Sequence, residues 1–248
     1  IRLSVGDGWV DAQGTLYFGS QKMEGQDHEV LLLTDSDIKL TLHRIAPILP
    51  VARLVRLTGG GKPRISGDIR LQGRPDKPRA TLALRTELGR YKVVSSGKVS
   101  DRHVELQMEM KRRHGGRVGS LNFEAPLYLK RPQPLGPIAL NWSLERVELG
   151  NFINLKELGL GADAQLRGEG LVRGTVLKPK GEWNVHVTGS KGTRIPAFDV
   201  HSRGRIVSPG GRVAVSLTNE QRVDGLPLVE TTANLRFSKS PLLHPNAT

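Results

Sequence analysis

Along much of the chain, apolar and polar residues alternate one for one. In HVELQMEMK, Val104, Leu106, Met108 and Met110 fall on one side of an extended segment, and His103, Glu105, Gln107, Glu109 and Lys111 on the other. SLNFEAPLYLK groups Leu121, Phe123, Ala125, Leu127 and Leu129, and ALNWSLE groups Leu140, Trp142 and Leu144. The same period recurs in Trp183, Val185 and Val187, in Val213, Val215 and Leu217, and in Ala233, Leu235 and Phe237. Successive strand side chains point to opposite faces, so each run predicts an antiparallel strand with one dry and one wet face. Turn residues separate the runs: RPDKP at Arg74–Pro78, HGG at His114–Gly116, GSKG at Gly189–Gly192 and SPGG at Ser208–Gly211. The rhythm is that of a meander rather than of alternating strands and helices. Little helix is expected. Leu149, Phe152, Leu155 and Leu158 lie three apart and predict one short helix, and a second is possible after Pro47 and Pro50 in APILPVARLVRL.

The strands repeat. At an offset of 101 residues, Ile65 matches Leu166, Gly67 matches Gly168, Gly73 matches Gly174, Pro78 matches Pro179, Leu82 matches Trp183 and Leu84 matches Val185. After a six-residue insertion Gly97, Lys98 and Val99 match Gly204, Arg205 and Ile206, and two residues more bring Val104 and Leu106 onto Val213 and Val215. Two units, at 38–129 and 139–237, joined by a Pro-rich junction at 131–137, form one elongated structure that grows by stacking. Within each unit the two glycines mark a bend, a bulge or a close approach to the backbone, and the proline is expected to end the strand.

Composition narrows the use of these strands. The 248 residues hold 37% apolar and only 4% aromatic residues, little bulk for a wide closed core. Cysteine is absent, which excludes disulfides, thiolate catalysis and Cys-ligated metal. No apolar run approaches a membrane span, and the chain reads as a segment of something longer. Catalytic motifs fail on inspection. GGGK at Gly59–Lys62 lacks phosphate-loop spacing and is followed by Pro63, and GEGLVRG is one residue too long for a dinucleotide fingerprint. The seven histidines form no ligand pair, and Asp35 and Asp37 read as a solvated loop. Neither an enzyme, a metal nor a cofactor is expected. The net charge is +13, densest in KRRHGGR at Lys111–Arg117, where a solvated hairpin tip is the plain reading and attraction to anionic head groups the sharper one. Nucleic acid is not expected, because the aromatics share the apolar side instead of interleaving with basic residues.

The apolar faces either pack on each other as a closed sandwich or line an open channel. Few aromatics and unlimited stacking favour an open apolar floor, which calls for a long apolar ligand such as an acyl chain, with Met108 and Met110 as pliable lining. LKELGLGADAQLRGEGLVRGTVLKPKGEWNVHV, preceded by GPIALNWSLERVEL, resembles the repeat of the TamB family within the AsmA-like superfamily, and RISGDIRLQGRPDKPRATLAL resembles a second copy. The resemblance implies an all-β, curved antiparallel sheet folded lengthwise into an apolar groove, a β-taco. It implies a periplasmic protein anchored in the inner membrane, partnered by an outer-membrane barrel of the Omp85 class. Its cargo would be phospholipid, or outer-membrane proteins assembled by strand pairing. The floor would then comprise Leu82, Leu84, Val104, Leu106, Met108, Met110, Leu121, Phe123, Leu127, Leu129, Leu140, Trp142, Leu144, Trp183, Val185, Val187, Val213, Val215 and Leu217. Gly67, Gly73, Pro78, Gly168, Gly174 and Pro179 would shape the bends.

Overall fold

In the computed structural model the described residues are 1–5, 7–22, 29–45, 64–74, 77–100, 103–126, 137–152, 155, 159–175, 178–209 and 213–237. They form one antiparallel sheet in which each strand pairs with its neighbours in sequence. The strands are β1 (Arg2–Val5), β2 (Gly8–Lys22), β3 (Glu29–Ile45), β4 (Arg64–Gln72), β5 (Arg79–Leu88), β6 (Tyr91–Ser100) and β7 (His103–Arg112). They continue as β8 (Arg117–Pro126), β9 (Pro137–Glu148), β10 (Gln165–Thr175), β11 (Pro179–Gly189), β12 (Phe198–Val207), β13 (Val213–Val223) and β14 (Leu226–Phe237). β1 and β14 are not paired with each other, so the sheet is open. At about 4.8 Å per interstrand step it measures roughly 60 Å along its curve from β1 to β14.

The internal repeat is written into the backbone. β4, β5 and β6 correspond to β10, β11 and β12, and the two units share their irregularities. In β3, Ile45 pairs with Ile65 and Leu42 with Gly67, leaving His43 and Arg44 as a bulge. In β9, Val147 pairs with Leu166 and Leu144 with Gly168, leaving Glu145 and Arg146. Arg44 (φ 51°) and Arg146 (φ 46°) both take the left-handed conformation, uncommon for a side chain of this size. Its recurrence marks a built-in bend. The turns repeat as well: Lys77 N–H donates to Arg74 O and Lys178 N–H to Thr175 O, both at 3.0 Å. The prolines do not end strands as expected. Gly73 (φ 94°) and Gly174 (φ 116°) turn the chain in a region that favours glycine, while Pro78 precedes β5 and Pro179 opens β11.

Where a helix is expected at Leu149–Leu158 the described residues begin with a 3-10 turn, Leu149–Asn151; residues 153, 154 and 156–158 and the segment after Pro47 lie outside the described residues. Gly150 and Gly159 (φ 71°) disfavour a continuous helix. The loop instead folds against one rim of the sheet. Phe152 stacks on Tyr91 with ring centroids 5.3 Å apart, and Leu155 is buried. Tyr91, Val118 and Val147 form the buried cluster there, with Met110, Leu144 and Leu166 packed around it. The Glu148 N–H donates to the Tyr91 hydroxyl at 2.9 Å. Three interstrand steps, about 14 Å on a flat sheet, separate β6 from β9. The contact therefore requires curvature. Replacing Tyr91 by Phe removes the acceptor of a half-buried N–H and lowers unfolding stability by about 1 kcal/mol, measurable by denaturant titration.

On its other side the loop is tied down by Asp163, whose carboxylate accepts from both the hydroxyl and the backbone N–H of Ser190. These two hydrogen bonds hold its pKa below the ordinary 3.8. Because the folded value is depressed, the tie is complete above the unfolded value and lost as pH falls through the folded one. The Ser190 amide resonance accordingly titrates with a midpoint below 3.8, and Asp163→Asn removes that titration.

Candidate functional site

Cross-strand partners share a face, so the register sorts every strand residue. One transverse row reads Ala12, Leu40, Ile69, Leu82, Gly97, Leu106, Phe123, Leu140, Val172, Gly181, Ile206, Val215 and Leu235 from β2 to β14. Each member is apolar or glycine. The neighbouring row on the opposite face runs Thr41, Asp68, Ala83, Ser96, Gln107, Asn122, Asn141, Leu171, Glu182, Arg205, Ser216 and Asn234. The sheet thus has one apolar face continuous through both units and one largely polar face.

Leu82, Leu84, Val104, Leu106, Met108, Met110, Leu121, Phe123, Leu140, Trp142, Leu144, Trp183, Val185, Val187, Val213, Val215 and Leu217 all lie on the apolar face. Leu127 and Leu129 fall outside the described residues. Of the members described, all but Val213 are half-buried, and among the described residues no large side chain is fully buried. A closed sandwich would bury this row completely. The closed alternative therefore does not describe these residues. In β6 the apolar-face Val93 is half-buried while Val94, its neighbour on the polar face, is 41% exposed.

Glycines shape this floor. Trp142 lies over Gly168 and Gly170 of the adjacent strand, and Trp183 lies over Gly204; a Cβ on Gly170 or Gly204 would enter the indole ring. Gly67 faces the Ala83 carbonyl with φ 141°, a conformation and a proximity that suit glycine alone. The two tryptophans are laid flat by their neighbours' missing side chains.

The polar face holds what the alternation alone did not reveal. Asp37 is not in a loop but in β3, where Arg70 grips it with Nε at 3.1 Å and Nη2 at 2.9 Å; the hydrogen-bonding guanidinium keeps its carboxyl below the usual range. His186 and His201 meet across β11 and β12, with ring centroids 5.5 Å apart. His186 accepts from Arg167 Nε–H at 2.7 Å and lies 2.6 Å from Asp199. Burial first, then Arg203 and His186, push the pKa of His201 down, so it is neutral at pH 7. A depression opens beside each of the two bulges, lined largely by polar-face residues. Among the described residues no His, Asp and Glu group has the makings of a metal site, and no helix is long and apolar enough to cross a membrane. No family model, curated protein or solved structure matches the chain.

Proposed function

We propose that this chain is a non-catalytic bridge that carries phospholipid acyl chains along its apolar face, tails on the floor and head groups in solvent. The observation that carries the reading is the unbroken apolar row: thirteen strands contribute to it and no second layer covers it among the described residues. An apolar face of this extent, left in water, is an aggregation hazard, and acyl chains are the ligands whose length and chemistry suit it. Binding follows from area, about 25 cal/mol per Å² of apolar surface covered, spread over many side chains. The resemblance to the TamB repeat supplies the setting: a periplasmic segment of an inner-membrane-anchored parent, working with an Omp85-class barrel. Native mass spectrometry of the purified chain, with lipid extraction of the same sample, tests the reading. Bound phospholipid is expected; a bare mass with no extractable lipid overturns it.

A second reading is a scaffold on which outer-membrane proteins form strands. The edge of β14, unpaired among the described residues, favours it, because Leu226, Leu228 and Leu235 are exposed along it at 72%, 62% and 57%. Pro227 sits near the start of that edge and limits pairing there. Strand pairing survives charges on the apolar face and fails when further prolines are placed in β14.

A further inference from the structure

We propose that the polar face carries a binding site for a small phosphorylated polyol, in the cavity where the second unit's bulge interrupts the ladder between β9 and β10. The cavity measures about 690 Å³, within the range of small-molecule sites. Four guanidinium groups line it: Arg112 and Arg117 from the β7–β8 hairpin, Arg146 from the bulge and Arg167 from β10. Among the described residues none of the four has a carboxylate within ion-pairing distance, whereas Arg70, Arg90 and Arg113 elsewhere each have one. Arg112 donates to the Arg146 carbonyl at 3.3 Å and Arg167 uses its Nε on His186, which leaves terminal N–H groups to serve a ligand. Guanidinium forks match phosphate oxygens, and an anion relieves the repulsion among four cations that Glu145 and Glu169 in the same lining offset only in part.

The remaining wall specifies more than an anion. Glu145, Glu169, Ser143 and Asn184 present acceptors and donors suited to hydroxyl groups. The first unit repeats the device on a smaller scale: its bulge opens a cavity of about 280 Å³ lined by Arg44, Arg64 and Arg85, with Ser66 and Glu87. The basic cavity therefore accompanies the bulge in both units. Arg117, Arg167, Glu169, Asn184 and His186 belong to the polar face, whereas Leu144 and Gly168 border the cavity from the apolar side and Arg112 is the cross-strand partner of Tyr91. The phosphate comes from a soluble phosphoester or from a membrane surface apposed to the polar face.

Calorimetric titration with sn-glycerol 3-phosphate, inorganic phosphate and glycerol tests the site, with phosphatidylglycerol vesicles as a separate arm. Saturable binding of glycerol 3-phosphate is expected, tighter than that of inorganic phosphate. Arg117→Gln and Arg167→Gln should each weaken it at least tenfold with an unchanged unfolding midpoint. Lys98→Gln, which removes the same charge from the polar face of β6 outside the cavity, should change it less than twofold. Arg-dependent binding of the vesicles alone identifies the membrane surface as the source and upholds the site. No Arg-dependent binding of any probe, or equal loss in Lys98→Gln, overturns the proposal. Met108→Asp leaves this binding intact, so its failure and that of the lipid reading are told apart.

Discussion

Met108→Asp and Val215→Arg each reduce the phospholipid that co-purifies with the chain, and the double variant carries none. Met108 stands on the apolar face of β7 and Val215 on that of β13, one in each unit, six strands and about 29 Å apart as measured along the sheet. Both are half-buried, so a charge at either place has apolar neighbours beside it and an acyl chain above. Taking an ion out of water without a partner costs several kcal/mol after relaxation, and each 1.4 kcal/mol is tenfold in affinity. A hundredfold loss at the altered unit is the expected scale. Leu106→Ala gives the contrast: losing about 40 Å² of lipid contact is worth about 1 kcal/mol at 25 cal/mol per Å² and is absorbed by neighbouring contacts.

The period of two supplies the control. Gln107→Asp and Ser216→Arg introduce the same charges one residue away, on the polar face of the same strands. Both leave bound lipid unchanged if the apolar face is the site. In a transfer assay between donor and acceptor vesicles, either single variant blocks passage, because a continuous floor fails wherever it is interrupted. Unchanged bound lipid in a folded double variant sinks the conduit. Equal loss in Gln107→Asp and Met108→Asp sinks the assignment of the face.

The alternation made the two faces legible because a one-residue slip would turn every side chain over, so register and hydrophobic pattern are tied to each other. The repeat was legible for a related reason, since glycines under large neighbours tolerate no substitute. What stayed hidden was set by backbone conformation. Arg44 and Arg146 take positive φ without being glycine, and no residue type announces that; the signal was LHRI beside LERV, 102 residues apart. Asp37 looked like loop because two acidic residues flank a serine, yet β3 extends through them with Arg70 opposite. His186 and His201 form no local motif. They meet because a hairpin pairs residues symmetrically about its turn, so the cross-strand register, rather than the spacing along the chain, would have found them. The Leu149–Leu158 spacing suggested a helix, but Phe152 serves a rim that needed filling beside Tyr91.

Gly67→Ala and Gly204→Ala both destabilise the chain, for reasons that a second substitution separates. At Gly67 the obstacle is backbone: a Cβ meets the Ala83 carbonyl, and φ is 141°, where a side chain is strained. The strain is worth about 1–3 kcal/mol and the overlap adds a similar amount, with no side chain to truncate in relief. At Gly204 the obstacle is the Trp183 indole, which can be removed. Gly204→Ala costs about 1–3 kcal/mol by overpacking, and adding Trp183→Leu recovers part of it, with a coupling of at least about 1 kcal/mol in the double-mutant cycle. Strict additivity would show that Trp183 does not rest on Gly204. Each strand packs chiefly against its two neighbours in sequence, as in a repeat protein, so damage spreads along the stack and not across a shared core. Hydrogen exchange therefore shows Gly204→Ala loosening β11–β13 while β4–β8 keep their protection, and Gly67→Ala loosening β3–β5 while β11–β13 keep theirs. A single global loss in either variant would mean that the two units fold as one cooperative body, in which case a charge on the apolar face of one unit would also act on the other through stability.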